Sequence, residues 1–331
     1  MNTIRFWIKN ARIQSLPQSV LPAILALCLA IPYTDFSPLL GVLGILGVIC
    51  GHLSLNLFDD YFDYRKKKTD YRDNMVHEGF RARIGKCTYL TSGQATLRQL
   101  LLACCVFGAI ALVFGGIIFY FRGISIIYIM LLTAFLGLSY SGAPLRLSYR
   151  GLGELLIGFI FGPMVMVGVF YAACGVMNTM IILISIPVGL LVANILYVHS
   201  IMDFEPDKKI GKHTLAVLLN NPKKMLVALS IILFVPYLIV AFGVIKGHLP
   251  VLFTLLILTL PMAISLFRMM ISYVRNPQQK FTPAKWMGPM SNWKRIESIG
   301  IDWFMIRWYL ARNLLSSFCF IVMILSFITY I

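Results

Sequence analysis

Charge is scarce in this 331-residue chain: Asp, Glu, Lys and Arg together make up 13% of it, where a soluble domain carries about 25%. Acid is scarcer still, with 13 Asp and Glu against 29 Lys and Arg. A chain so poor in charge is not an ordinary water-soluble globule, although its length alone would suit two such domains. No low-complexity tract, linker or separate soluble domain interrupts it. The seven cysteines lack metal-ligand spacing and lie mostly inside apolar runs, Cys104–Cys105 among them, so they read as small packing residues.

What is abundant is apolar surface: 59% of residues are hydrophobic and the mean hydropathy is +0.82. Crossing a bilayer takes roughly 20 residues of helix. The apolar runs predict spans near 16–33, 39–58, 99–120, 124–141, 152–174, 179–201, 224–245, 250–273 and 311–331. The expected fold is therefore all-α: a polytopic membrane protein, one domain over 1–331, built as a bundle of about nine transmembrane helices. The first span follows Arg5, Lys9 and Arg12 as a signal peptide would. It lacks a small-residue cleavage site and Pro17 and Pro22 interrupt its start, so it is expected to stay in the mature chain.

The basic residues fall on one side of this topology. Three precede the first span, nine lie from Arg65 to Arg98, Arg146 and Arg150 follow, then five from Lys208 to Lys224 and eight from Arg268 to Arg312. Only Arg122 and Lys246 fall on the other side. The positive-inside rule then predicts a cytoplasmic N-terminus and cytoplasmic basic loops in the cell (inner) membrane. A net charge of +16 is thus explained by topology and anionic membrane lipids, not by nucleic acid. It also suits an anionic substrate at that face. The segment 274–310, with Trp286, Trp293, Trp303 and Trp308, is expected to lie at headgroup level.

The few acids are clustered. The second span ends in Asn56-Leu-Phe-Asp59-Asp60-Tyr-Phe-Asp63, and the sixth ends in Asp203-Phe-Glu-Pro-Asp207. In a helix, Asn56, Asp60 and Asp63 share one stripe with Asp59 beside it, and Asp203 and Asp207 stand one turn apart. The two span ends echo each other, with His52 and His199 each four residues before the next polar position of its motif. Five carboxylates on one predicted membrane face repel one another unless something positive sits between them. Mg²⁺ suits that place, because it is usually held by one or two carboxylates plus substrate phosphates. Two acidic clusters can grip a metal-bound diphosphate from both sides, while Lys and Arg take the remaining charge. Intramembrane acids also mark cation pathways, so a cation-coupled transporter is the competing class.

At these residues the chain resembles the UbiA superfamily of intramembrane prenyltransferases. Asn56 through Asp63 is similar to the family's first Asp-rich motif. Asp203-x3-Asp207 followed by Gly211-Lys212-His-Thr214 is similar to the second. Three further stretches resemble the 1,4-dihydroxy-2-naphthoate prenyltransferases of menaquinone biosynthesis. They are Arg12 to Pro22, Tyr140-Ser-Gly142-Ala-Pro144, and Tyr149-Arg150-Gly151-Leu-Gly153-Glu154 with Phe161-Gly162-Pro163 after it. Ile84-Gly85 and Ser92-Gly93 also fit. The chain departs from that branch at His199, Ser200 and Met202, where two Asn and an Arg are usual, and at Asp59, where Asn is common. A basic residue found near Ser148 in other branches is missing.

The resemblance implies Mg²⁺-dependent transfer of a polyprenyl chain from polyprenyl diphosphate to an aromatic acceptor, most simply 1,4-dihydroxy-2-naphthoate with loss of CO₂. Another aromatic or a glycerol-phosphate acceptor remains open. The implied metal ligands are Asp59, Asp60, Asp63, Asp203 and Asp207, with Asp60, Asp63, Asp203 and Asp207 catalytic. Asn56, Lys212, Arg146, Tyr140 and His199 are expected to bind substrate, Lys212 and Arg146 through phosphate. Tyr140, Tyr61 and Phe62 are candidates to face an allylic cation, and His199 or His52 to act as a base.

Overall fold

The computed structural model describes residues 3–67, 87–209, 211–277 and 279–330. The Ile84-Gly85 motif lies outside them. Among the described residues the secondary structure is entirely helical, as a chain surrounded by lipid requires, because helices satisfy their own backbone. A short α1 (Thr3–Asn10) leads through a single 3₁₀ turn into α2 (Pro17–Ala30), followed by α3 (Pro38–Lys67), α4 (Leu97–Arg122) and α5 (Ile124–Ser139). Then come α6 (Gly153–Cys174) and α7 (Thr179–Met202). Two short helices, α8 (Phe204–Lys209) and α9 (Leu215–Leu219), lead to α10 (Pro222–Ile245), α11 (Val251–Arg275) and α12 (Asp302–Tyr330).

Seven of these, α3, α4, α6, α7, α10, α11 and α12, are long and apolar enough to cross a membrane. α2 and α5 are apolar but shorter, at 14 and 16 residues. They occupy the places of the first and fourth expected spans. The chain is thus a multi-pass membrane protein, and among the described residues seven full-length helices and two short apolar ones stand where nine spans were expected.

Local chemistry sets several boundaries. Thr96 and Gln99 form a reciprocal capping box at the start of α4. Gly175 takes a left-handed conformation (φ 73°) to end α6, and Asn178 accepts from the Ile181 N–H to start α7. This is the short turn expected between the fifth and sixth spans. Within α6, residues Ile160–Met164 widen into a π turn at Pro163, which has no N–H to donate.

α7 is the most buried of the long helices and forms the centre of the bundle. It packs against α6, α10 and α12, while α3 packs along α4 and α6. At the α6–α7 crossing the backbones touch through glycines: a Cβ on Gly162 would lie 2.4 Å from Gly189 Cα. Close packing of small residues is how membrane helices associate when lipid is as apolar as the core. The outward faces of α4, α5, α10 and α11 expose Leu102, Phe121, Leu131, Leu238 and Ile257, a surface suited to lipid.

The C-terminal segment corrects one expectation. α12 begins at Asp302, nine residues before the expected ninth span, so Trp303 and Trp308 belong to its first turns. Trp303 is buried and stacks on Tyr273 at 5.8 Å. Arg307, counted above among the loop cations, is wholly buried. It donates to the Met269 and Trp303 carbonyls and lies over the Tyr273 and Phe281 rings. A cation so enclosed is tolerated in an apolar bundle because carbonyls and π faces replace water.

Candidate functional site

Both acidic segments open into one cavity of about 850 Å³. The end of α3 supplies Asn56, Asp59, Asp60 and Asp63, and the end of α7 with α8 supplies His199, Asp203 and Asp207. The structure brings together Tyr140 and Lys212 with them, and Lys9, Arg12 and Lys209 add positive charge to the lining. Asp60, Asp203 and Asp207 are all buried. The helical spacing read from the sequence therefore does place the acids on converging faces.

Arg146 is not brought there. It sits in a left-handed turn (φ 46°) of the 140–149 loop and is absent from the cavity wall. Its neighbour Tyr149 lines the cavity instead and donates to Asp63 Oδ1 at 2.7 Å. Tyr61 and Phe62 also miss the cavity. They pack edge to face at 5.5 Å, with Phe58 stacked on Phe62 at 6.0 Å. Of the three aromatic candidates only Tyr140 faces the site.

The first acidic cluster has a cation that the sequence reading did not single out. Arg12 Nη2 donates to Asp59 Oδ2 at 3.0 Å and to the Asn56 carbonyl at 2.7 Å, and lies 3.2 Å from Asp60 Oδ1. Arg12 reaches this position from a left-handed backbone (φ 61°) at the break between α1 and α2. Burial by itself would favour loss of its proton, but Asp60 and Asp59 outweigh that and raise the guanidinium above its ordinary value. Asp59 Oδ1 accepts from Ser141 at 2.5 Å, so both its oxygens are held by protein donors. Tyr89 donates to Asp60 Oδ2 at 3.1 Å. Burial first, and then the Asp60 charge, hold the Tyr89 phenol well above its usual range, so it remains a donor.

Asn56 donates to the Ala11 carbonyl and to Ser15 Oγ, at 2.9 and 3.0 Å, and ties the N-terminal segment to α3. His52 sits deeper, 2.6 Å from Ser19 Oγ and 3.3 Å from Ser15 Oγ, with its ring against Phe161 at 4.5 Å.

The second cluster is built by a different clamp. Glu154, buried at the start of α6, accepts from Ser200 at 2.5 Å and from the Leu215 N–H at 3.2 Å. Gly151 (φ 76°) donates its N–H to the His213 carbonyl at 2.6 Å. These bonds hold the 211–215 loop, and with it Lys212, beside Asp207, whose carbonyl accepts from the Lys212 N–H at 2.9 Å. The three departures from the naphthoate branch that precede the second motif all make contacts here. Ser200 holds Glu154, the His199 ring lies 4.7 Å from that of Phe304, and the Met202 carbonyl accepts from Tyr273 at 3.1 Å. Only the motif resemblance hinted at Arg12, Tyr149 and Glu154, because each acts across more than forty residues of sequence.

The donor set suits Mg²⁺. It offers hard carboxylate oxygens, yet among the described residues no three Asp, Glu, His or Cys side chains group as a metal cage of their own. Mg²⁺ typically takes one or two carboxylates and completes its shell with phosphate and water.

An all-helical membrane bundle with a polar, acid-lined cavity at one end defines a class of protein that handles a charged group beside lipid. The chain belongs to the UbiA prenyltransferase family, whose model matches residues 19–288. Among its relatives is the 1,4-dihydroxy-2-naphthoate octaprenyltransferase of Bacillus subtilis (strain 168), 31% identical over 63% of this chain and 64% of that protein. The 2-carboxy-1,4-naphthoquinone phytyltransferase of Synechocystis sp. is 34% identical over 44% of this chain and 47% of its own. The human UbiA prenyltransferase domain-containing protein 1 is 29% identical over 70% of this chain and 64% of that one. The match thus spans under two thirds of each relative. In fold, the chain resembles a digeranylgeranylglyceryl phosphate synthase structure (TM-score 0.63, 18% identity, 99% of this chain and 98% of that one). It also resembles a UbiA homolog from Archaeoglobus fulgidus solved with GPP and Mg²⁺ (TM-score 0.57, 16% identity, 96% and 99%).

Proposed function

We propose that this protein transfers a polyprenyl group from its diphosphate to 1,4-dihydroxy-2-naphthoate, with loss of CO₂, as a step of menaquinone biosynthesis. The observation that carries this reading is that both acidic segments, Lys209 and Lys212 line one cavity. Beside it runs a nearly apolar groove of about 320 Å³, which shares His52, Leu55, Ile160 and Phe161 as its wall. A charged diphosphate and its lipid tail are an amphipathic pair that fits such a junction.

Asp60, Asp63, Asp203 and Asp207 would hold Mg²⁺, which when bound neutralises the leaving diphosphate as charge grows on it. Lys212, Lys209 and Arg12 supply further positive charge to the same oxygens. The allylic C–O bond breaks and its electron pair leaves with the diphosphate. Tyr140 lines the cavity, and its π face would steady the positive charge that develops on carbon. The electron-rich ring forms the new C–C bond, and the pair released by departing CO₂ restores aromaticity, so no strong protein base is required. His199 and Asn56 line the same cavity and contact the acceptor or the diphosphate. The basic loops orient the acid-lined end toward the cytoplasm.

The test is a reaction of purified protein with a prenyl diphosphate and a panel of acceptors, read by mass spectrometry. The expected product is a prenylated naphthoquinol lacking the carboxylate. A product that keeps its carboxylate, or reaction with another acceptor only, would overturn the naphthoate assignment.

A further inference from the structure

The apolar groove has a floor rich in glycine. It runs between α3, α4, α5 and α6, and its α3 wall carries Gly44, Gly47 and Gly51. On a helix these positions share a stripe that continues through Leu55 to Asp59. One helix face thus passes from an acid at the polar cavity to a row of three glycines at the groove. At about 1.5 Å per residue, Gly51, Gly47 and Gly44 lie roughly 12, 18 and 22 Å from Asp59 along α3.

The space over Gly51 is open, while at Gly47 and Gly44 a Cβ would come into ordinary van der Waals contact. A Cβ built on Gly51 meets no described atom within 4 Å, and none of the three has a positive φ. At Gly47 the nearest atoms are Phe114 Cβ and the Ala111 carbonyl, at 3.7 and 3.9 Å. At Gly44 they are Ala172 Cβ and Val169 Cγ2, both at 3.6 Å. Helix–helix contact does not require glycine at these positions, as it does at Gly162. Glycine also costs about 1 kcal/mol relative to Ala in a helix interior, and no close helix contact requires it at these three positions along the groove.

We propose that Gly51, Gly47 and Gly44 are the gauge that sets how long a prenyl chain the protein accepts, each glycine leaving room for a more distal part of the tail. The inference rests on the prenyl-transfer reading above and adds the residues that determine chain-length selectivity. A side chain at Gly51 would block the groove near its polar end, and the same side chain at Gly47 or Gly44 would block it progressively further out. Adding bulk to a filled apolar site excludes the ligand atoms that used it.

The experiment compares Gly51→Leu, Gly47→Leu and Gly44→Leu with the unaltered protein, using prenyl diphosphates from geranyl to octaprenyl. The kcat/KM for octaprenyl relative to geranyl diphosphate should fall at least about tenfold in Gly51→Leu. The shortest donor that is discriminated against should lengthen in the order 51, 47, 44. Each variant's geranyl turnover reports that it has folded, and loss of one variant to misfolding leaves two positions to test the order. Length profiles identical to that of the unaltered protein in the folded variants would overturn the gauge. Absence of transfer from every donor by the unaltered protein would instead overturn the prenyl-transfer reading.

Discussion

Arg12 shows how a cation far along the chain steadies a crowded acidic site. Asp60 is buried and Asp59 nearly so, and the Arg12 guanidinium is held 3.0 Å from Asp59 and 3.2 Å from Asp60. Removing one partner of a buried ion pair is far costlier than the pair is worth, because the other charge stays in the interior. Arg12 keeps about a third of its side chain exposed, so the screened cost of Arg12→Gln is put at about 1–3 kcal/mol. Thermal unfolding in detergent should show a lowered midpoint, and Asp59→Asn in the same chain should recover part of it. A midpoint unchanged by Arg12→Gln would mean that groups other than Arg12 neutralise the cluster. The pairing was not legible in sequence. The acids announced themselves through rarity and helical spacing, whereas Arg12 looked like one of many basic residues ahead of a span.

Two helices carry the site and two glycine patterns distinguish what they do. At the α6–α7 crossing, Gly162 faces Gly189 Cα, the Ser185 carbonyl and Gly189 N, all within 2.6 Å of a built Cβ. Gly162→Ala must therefore separate backbones, at a cost of about 2 kcal/mol or more. Gly51→Ala, with open space above it, should leave stability unchanged or slightly raised. Chemical denaturation of both variants in mild detergent checks the contrast, and equal stability of the two would contradict the packing. The long helices were readable from hydropathy because crossing a bilayer demands an uninterrupted apolar run. The true start of α12 was not. Trp303, Arg307 and Trp308 look interfacial by composition, and only burial against Tyr273, Phe281 and the cavity shows that the helix already includes them. The loops that shape the second cluster were equally opaque, since Glu154 and Gly151 act through backbone bonds to residues 213 and 215.

For the molecule as a whole, charge asymmetry and cavity position make one statement. Lys9, Arg12, Lys209 and Lys212 line the acid-lined cavity, and the spans expected from hydropathy leave Arg122 and Lys246 alone on the opposite side. Single-cysteine variants at positions 66 and 209, in a background lacking the native cysteines, should label from the cytoplasmic side of oriented vesicles. Labelling of either from the outside alone would reverse the topology. The convergence of the two acidic segments is the feature on which the functional reading stands, and it is tested by metal-dependent chemistry. Purified protein should release diphosphate from a prenyl diphosphate in the presence of acceptor only when Mg²⁺ is supplied. Asp60→Ala, Asp63→Ala, Asp203→Ala and Asp207→Ala should each slow that release by about a thousandfold, roughly 4 kcal/mol of lost transition-state stabilisation. Near-normal release by any two of these variants while folded, or release indifferent to a chelator, would contradict a site built from both clusters.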